Sequence, residues 1–390
     1  MVLSSQFKSL AIILLRGGPT LGVSLMAFFI LACSQPEEAT SVDEKSVPDA
    51  RFPSVELVNT FEPAGETNVR SSFQLSDGAA LIGTEETGDI YKTTDNGLSW
   101  QKVWDGGEQW DIADVRNFIR GQDGHVYITT TEPGTVSRSK DEGESWEIIS
   151  TANASRTVGL VQMEGGTMLV GLRRSENGKT SIVRSEDYFS SSEWLPLSST
   201  EPRQNVTCFG HWGGSDVLAG IGYEGSGKIY KSSDNGLTWT KKAEFPDARD
   251  LMNFFKAGDD IYVLASGIST LFKSSDEGET WSKAHQFWSK GFLGQCVPFE
   301  WEGRTYFLMT ATDQTQEIYR HLVMISDDYG ASWVEWIDLL QEKMGKVYSA
   351  SDSGGGASNL AVISKDTVVV GVGNHAVQGR AFTLKVSSSK

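Results

Sequence analysis

Four arginines, Arg70, Arg116, Arg156 and Arg249, stand at comparable points of a repeating strand pattern. Aligned on the turns that follow them, Arg70 and Arg116 take the same position, seven residues before Asp77 and Asp123. Arg156 and Arg249 fall two residues earlier in their own segments, on the same strand face. A guanidinium offers a planar fork of donors that matches a carboxylate or sulfate with paired hydrogen bonds. Gathered on one concave end of an acidic chain, these groups would form an anion site. The competing reading is local pairing, since Glu85, Asp89, Asp111, Asp114 and Asp250 lie close in sequence.

The device that would bring them together is a repeat. The segments Thr93–Trp100, Ser139–Trp146, Ser232–Trp239, Ser274–Trp281 and Ser326–Trp333 share one grammar: a strand end, a tight turn, and a new strand opening on tryptophan. In the Ser232 copy, Gly236 supplies the positive φ of the turn, the Asp234 carboxylate accepts backbone N–H groups across it, and Trp239 has a face to bury. A worn copy, Ser185 to Asp187 followed by Trp194, has lost its glycine. The markers Asp95, Asp141, Asp187, Asp234, Asp276 and Asp328 are 46, 46, 47, 42 and 52 residues apart. Periods of roughly 40–50 residues with strand-like units indicate propeller blades, none of which buries its faces without neighbours.

Each unit should hold four antiparallel strands, with inner strands at 69–75, 115–120, 158–161, 206–209, 251–254 and 296–299. Residues 358–388 supply three more strands with no such turn, and 55–58 a strand without a unit of its own. Pairing these removes an open edge. The expected architecture is all-β, a seven-bladed β-propeller closed by an N-terminal strand on the C-terminal blade, with six blades as the alternative.

The turn grammar resembles the Asp-box (bacterial neuraminidase) repeat, Ser-x-Asp-x-Gly-x-Thr-Trp. The resemblance implies a sialidase-like propeller whose marker aspartates are structural and sit on the rim away from the ligand face. Tyr319–Ser326, the following box and Gly345–Ser349 are similar to the end of sialidases. That match implies Arg320 as a carboxylate-clamp arginine and Tyr348 as a nucleophile, a neutral group suited to an anionic sugar. Arg70 carries over from the first inner strand, though its flanks, Val69 and Ser71–Ser72, depart from the family's Phe-Arg-Ile-Pro. Arg173 or Arg174 would complete the clamp; the general acid and the glutamate partner have no counterpart motif.

The function expected from this resemblance is a cell-envelope propeller that hydrolyses or binds an anionic glycan or glycoconjugate. A second reading, by similarity to ulvan lyases, is a polysaccharide lyase on a uronate polymer. It would draw on Tyr348, Tyr319, His321, His285 and His375, with Trp110 and Trp288 stacking on sugar. A third is a non-catalytic scaffold with an envelope protein partner, since lipid-anchored propellers of the photosystem assembly factor family are also similar. Long loops expected at 284–295 and 337–358 would serve recognition in each case.

Residues 1–32 read as a signal peptide, with Lys8 and Arg16 ahead of the apolar run Leu21–Ala32. Ile30–Cys33 resembles a bacterial lipobox, which implies lipidation of Cys33 and an envelope address, with Ser34 favouring the outer membrane. The acidic stretch 33–52 would be a tether and 53–390 a single propeller domain. The membrane would be touched through the lipid alone. A net charge of −17 argues against nucleic acid. No His/Cys/Asp cluster has metal-ligand spacing, and Ser351–Ala357 lacks the Lys-Ser/Thr of a phosphate loop, so no cofactor is expected. Cys208 and Cys296 are expected as buried thiols on non-adjacent blades.

Overall fold

A computed structural model describes residues 51–151, 154–175, 181–197, 205–222, 226–315, 319–339, 356–373 and 379–389. After β1 (Ser54–Phe61), the strands follow in groups of four, each group an antiparallel meander. The first group is β2 (Asn68–Ser76), β3 (Ala79–Glu85), β4 (Ile90–Thr93) and β5 (Gln101–Trp104). A short helix, α1 (Gly106–Trp110), follows it, capped by Asp105 Oδ1 accepting from Glu108 N at 2.9 Å. Next come β6 (Asp114–Arg120), β7 (Val126–Thr131), β8 (Thr135–Ser139) and β9 (Glu147–Thr151). They are followed by β10 (Ala154–Gln162), β11 (Met168–Ser175), β12 (Ile182–Ser185) and β13 (Glu193–Leu195). The fourth group is β14 (Asn205–Gly210), β15 (Val217–Gly222), β16 (Ser226–Ser232) and β17 (Thr240–Pro246). The fifth is β18 (Asp250–Ala257), β19 (Asp260–Ser266), β20 (Thr270–Ser274) and β21 (Ser282–Gln286). The sixth is β22 (Gly291–Trp301), β23 (Arg304–Asp313), β24 (Arg320–Ser326) and β25 (Val334–Asp338).

The chain ends in β26 (Ala357–Ser364), β27 (Thr367–Val372) and β28 (Arg380–Ser387), and β1 pairs antiparallel with β28, from Ser54 opposite Ser387 to Phe61 opposite Ala381. One sheet thus joins the two ends of the described chain.

Burial explains which strands read as apolar runs. Second strands such as β7 and β15 are buried along their whole length because a sheet packs on each of their faces. Outermost strands such as β21 are mostly exposed and carry Lys and Gln. Apolar clusters lie between consecutive sheets. One holds Leu81, Ile90, Val115 and Ile128 between the first two groups. Another holds Leu308, Ile325, Val370 and Phe382 between the sixth group and the terminal sheet. A third joins Val69 and Ile82 to Ile363 and Val369, so β2 packs on the terminal sheet as well as on β6.

The repeated turns are hydrogen-bonded as one design. In the Ser232 copy, Ser232 Oγ donates to Asp234 Oδ1 at 2.7 Å and accepts from Gly236 N at 2.9 Å. Asp234 Oδ1 accepts from Thr238 N at 2.8 Å, and Oδ2 from Thr238 Oγ1 at 2.6 Å. Gly236 has φ +79°, and a Cβ there would stand 2.8 Å from the Leu169 methyls of the preceding group. The glycine therefore serves both the turn and the inter-sheet contact. The worn copy keeps the bonds: Asp187 accepts from Ser191 N at 2.8 Å and Oγ at 2.6 Å, with Phe189 taking the glycine position at φ 69°. One expected loop differs. Residues 291–295, placed in a long loop by the sequence, extend β22 instead, because Gly291–Leu293 pair with Ala311–Asp313 of β23.

Candidate functional site

The repeated turns fix which end of the molecule is which. Asn96 N donates to Gly78 O at 3.0 Å, and Asn235 N to Ser215 O at 3.1 Å, so these turns sit beside the first hairpin of each group. Arg70 lies at the other end of β2, Arg116 at the corresponding start of β6, and Arg156 near the start of β10.

At that end four of the strand groups share a charge network. Arg70 Nη2 pairs with Glu85 Oε2 at 2.6 Å. Arg116 Nη2 pairs with Asp114 Oδ2 at 2.6 Å and reaches Glu85 Oε1 at 3.6 Å. Asp114 Oδ2 also accepts from Thr131 Oγ1 at 2.6 Å, and Glu85 Oε2 from Asn68 Nδ2 at 3.0 Å. Arg156 Nη2 pairs with Glu132 at 2.9 Å while standing close enough to Arg116 to repel it. Arg173, from the second strand of the same group, lies 3.9 Å from Asp250 at the start of β18. Arg249 approaches Asp250 at 3.6 Å, but its side chain is 71% exposed.

Burial dominates the electrostatics. It raises Asp114, against the opposing charge of Arg116, and it raises Asp250 against Arg173, Arg249 and Arg116. Burial also acts upward on Glu85, yet the charge and hydrogen bond of Arg70, with Arg116 behind them, hold it below the usual range. Desolvation and the neighbouring Arg70 charge lower Arg116. Several polar atoms here are buried without a hydrogen bond: Arg70 Nε, Arg116 Nε, Asp114 Oδ1, Asp250 Oδ1 and Asn68 Oδ1. Buried polar atoms are ordinarily paired, and these five belong to one buried charge network. Glu66 lies beside it, its carboxyl pushed up to about 7 by burial and bonded to Thr87.

Other residues singled out from the sequence lie elsewhere. Arg320 is on the third strand of its group, where Nε meets Asp338 at 3.0 Å and the two Nη atoms meet Glu335 at 2.9 and 2.6 Å, both partners on the outermost strand. The guanidinium of Arg320 thus braces β24 to β25. His321 is on β24 rather than in a loop, 4% exposed, and burial pushes it down to about 4. His285 sits on the outermost strand β21 with its ring against Phe287. Trp288 packs on the core cluster of Leu264, Leu293 and Met309. Tyr319 immediately precedes β24 and is half-buried. Tyr348, His375 and Cys33 lie outside the described residues, as do the side chains of Arg174 and Trp110. Cys208 and Cys296 are buried free thiols on β14 and β22. Among the described residues no cluster of His, Cys, Asp or Glu is placed to hold a metal.

Sequence reasoning did not find Asn68, Thr131 or the Arg173–Asp250 contact. Asn68 and Thr131 are neutral and carry no charge signal. The Arg173–Asp250 contact joins strands 77 residues apart with no shared motif.

No family model matches the chain, and no curated protein sequence matches it. Solved structures do. One described as YCF48 bound to D1 peptide superposes with a TM-score of 0.56 at 14% identity, covering 87% of this chain and 98% of that one. Virginiamycin B lyase from Staphylococcus aureus, a catalytically inactive form with quinupristin, gives 0.56 at 10%, covering 85% and 99%. The GH74 xyloglucanase from Xanthomonas campestris gives 0.57 at 15%, covering 83% of this chain and 53% of that one. The fold is a β-propeller. At these identities the likeness speaks for the blades and their arrangement in space, and the residues of the mouth must speak for themselves.

Proposed function

We propose that this chain is a closed seven-bladed propeller that recognises a carboxylate-bearing polypeptide segment at its arginine-lined mouth, acting by binding rather than catalysis. The inner strands touch in sequence from β2 through β6, β10, β14, β18 and β22 to β26, and β26 touches β2, which supports closure. The observation that carries the binding reading is the convergence of Arg70, Arg116, Arg156 and Arg173 with Glu85, Asp114 and Asp250 at one end. A peptide brings both counterparts, a carboxylate for the arginines and backbone N–H groups for the aspartates. Among the described residues no large aromatic side chain is exposed at this end, and such rings are what a sugar would stack on. YCF48 with its D1 peptide is a full-length structural likeness with a polypeptide occupant. Lipidation of Cys33 would hold the propeller at a bacterial envelope membrane, with residues 34–52 as tether.

The test uses fluorescence polarisation with acidic peptides that end in a free carboxylate or in an amide. The free-carboxylate forms should bind more tightly, and Arg70→Gln should weaken them by about tenfold or more, the worth of one charge-assisted pair. Turnover of a fluorogenic sialoside, or release of unsaturated uronate from a polymer, would replace this reading with one of the enzymatic ones.

A further inference from the structure

At the opposite end, between the fourth and fifth groups, lies a cavity of about 340 Å³ unrelated to the arginine network. Trp212 lines it and is 40% exposed, a large ring left in solvent. The ring packs close against Gly210: a Cβ there would stand 2.6 Å from its Cη2 atom. Its loop is pinned on both sides. Gly214 N donates to Glu164 Oε2 at 2.7 Å, and Glu164 N donates to His211 Nε2 at 3.2 Å. With Nε2 accepting, His211 carries its proton on Nδ1 and donates to Asp216 O, 2.9 Å away. The platform is thus preorganised, which lowers the cost of binding.

The polar wall narrows the class of ligand. Lys231 is already saturated: its amine reaches Glu277 O at 3.0 Å, Glu279 Oε1 at 3.0 Å and Asp216 Oδ2 at 3.1 Å. That leaves Lys256 and Glu277, which also line the cavity and have no ion-pair partner among the described residues. One charge of each sign gives no net pull on an anion or a cation, and a Lys beside the ring disfavours an ammonium over it. A ring with an apolar face and a periphery of hydroxyls meets all three features. It covers the indole, donates to Glu277 and accepts from Lys256.

We propose that this cavity binds a short neutral saccharide, with Trp212 as the stacking platform and Lys256 and Glu277 as hydroxyl partners. The volume falls at the lower end of the roughly 300–1,000 Å³ of small-ligand sites, which suits a chain terminus or one short segment rather than a long polymer. The site is independent of the mouth and of the reading given to it.

The experiment is a binding screen of the purified full chain against short cello-, chito-, malto- and laminari-oligosaccharides, followed by calorimetry on the tightest. Trp212→Ala should lose about tenfold in affinity or more, the worth of an aromatic contact. Glu277→Gln and Lys256→Ala should each lose several-fold. Because Trp212 is partly exposed, its removal should leave the melting temperature nearly unchanged. Should that variant fold poorly, the Glu277 and Lys256 variants decide alone. Absence of binding to every saccharide overturns the proposal. So does affinity that survives the cavity variants.

Discussion

At the end of the molecule formed by the repeated turns, every marker aspartate has its oxygens filled. Asp276 Oδ1 accepts from Thr280 N at 2.8 Å and Oδ2 from Thr280 Oγ1 at 2.5 Å, and these bonds hold it down to about 2. At the arginine end, Asp114 and Asp250 are buried and raised, and Oδ1 of each accepts no hydrogen bond. The same residue type is used to finish a turn in one place and left unfinished in the other. A fold can hold such unfinished groups only where neighbouring charges offset part of their desolvation. The contrast marks one end as scaffold and the other as a surface shaped for an occupant.

The contrast can be broken by substitution. The largest effect should come from Arg116→Leu, which strands Asp114 as a buried carboxylate without its counter-ion and leaves Glu85 to Arg70 alone. A loss of about 3–5 kcal/mol in denaturant unfolding is expected, and Asp114→Asn in the same chain should return part of it. If Arg116→Leu is neutral, the network is a surface feature. At the other end Gly236→Val should cost about 2–4 kcal/mol, since a branched side chain meets both a positive φ and the Leu169 methyls. It should leave peptide affinity at the mouth intact once folded.

The smallest effects lie in the pH dependence and have opposite signs. Asp276 is lowered in the folded state, so its contribution is present above the unfolded value near 4 and lost as pH falls towards about 2. Asp276→Asn should therefore flatten stability over that acid window. Glu66 is raised to about 7, so the folded chain holds a proton that the unfolded chain releases, and stability declines as pH rises from about 4.5 through 7. Glu66→Gln should remove that decline and gain on the parent above neutrality. Equal slopes in parent and variant would contradict the burial assigned to Glu66.

Much of this was legible in the sequence because it rests on local rules. The turn grammar located six hairpins, and the alignment of Arg70 with Arg116 followed from a shared distance to the next turn. The worn copy kept its bonds because the aspartate and serines make them, while Phe189 accepted the backbone conformation at the glycine's place. Less legible was what meets across strands. The ion pairs of Arg320 with Glu335 and Asp338, one strand further out, have no marker in the sequence. Arg173 meets Asp250 through packing of two sheets, which no local pattern encodes.

The decisive measurement is a paired titration of one free-carboxylate acidic peptide against the parent, Arg70→Gln and Asp234→Asn. Affinity lost in the Arg70 variant and kept in the Asp234 variant is the expected result. Equal affinity in all three chains, or equal loss in both variants, would contradict a binding surface at the arginine mouth.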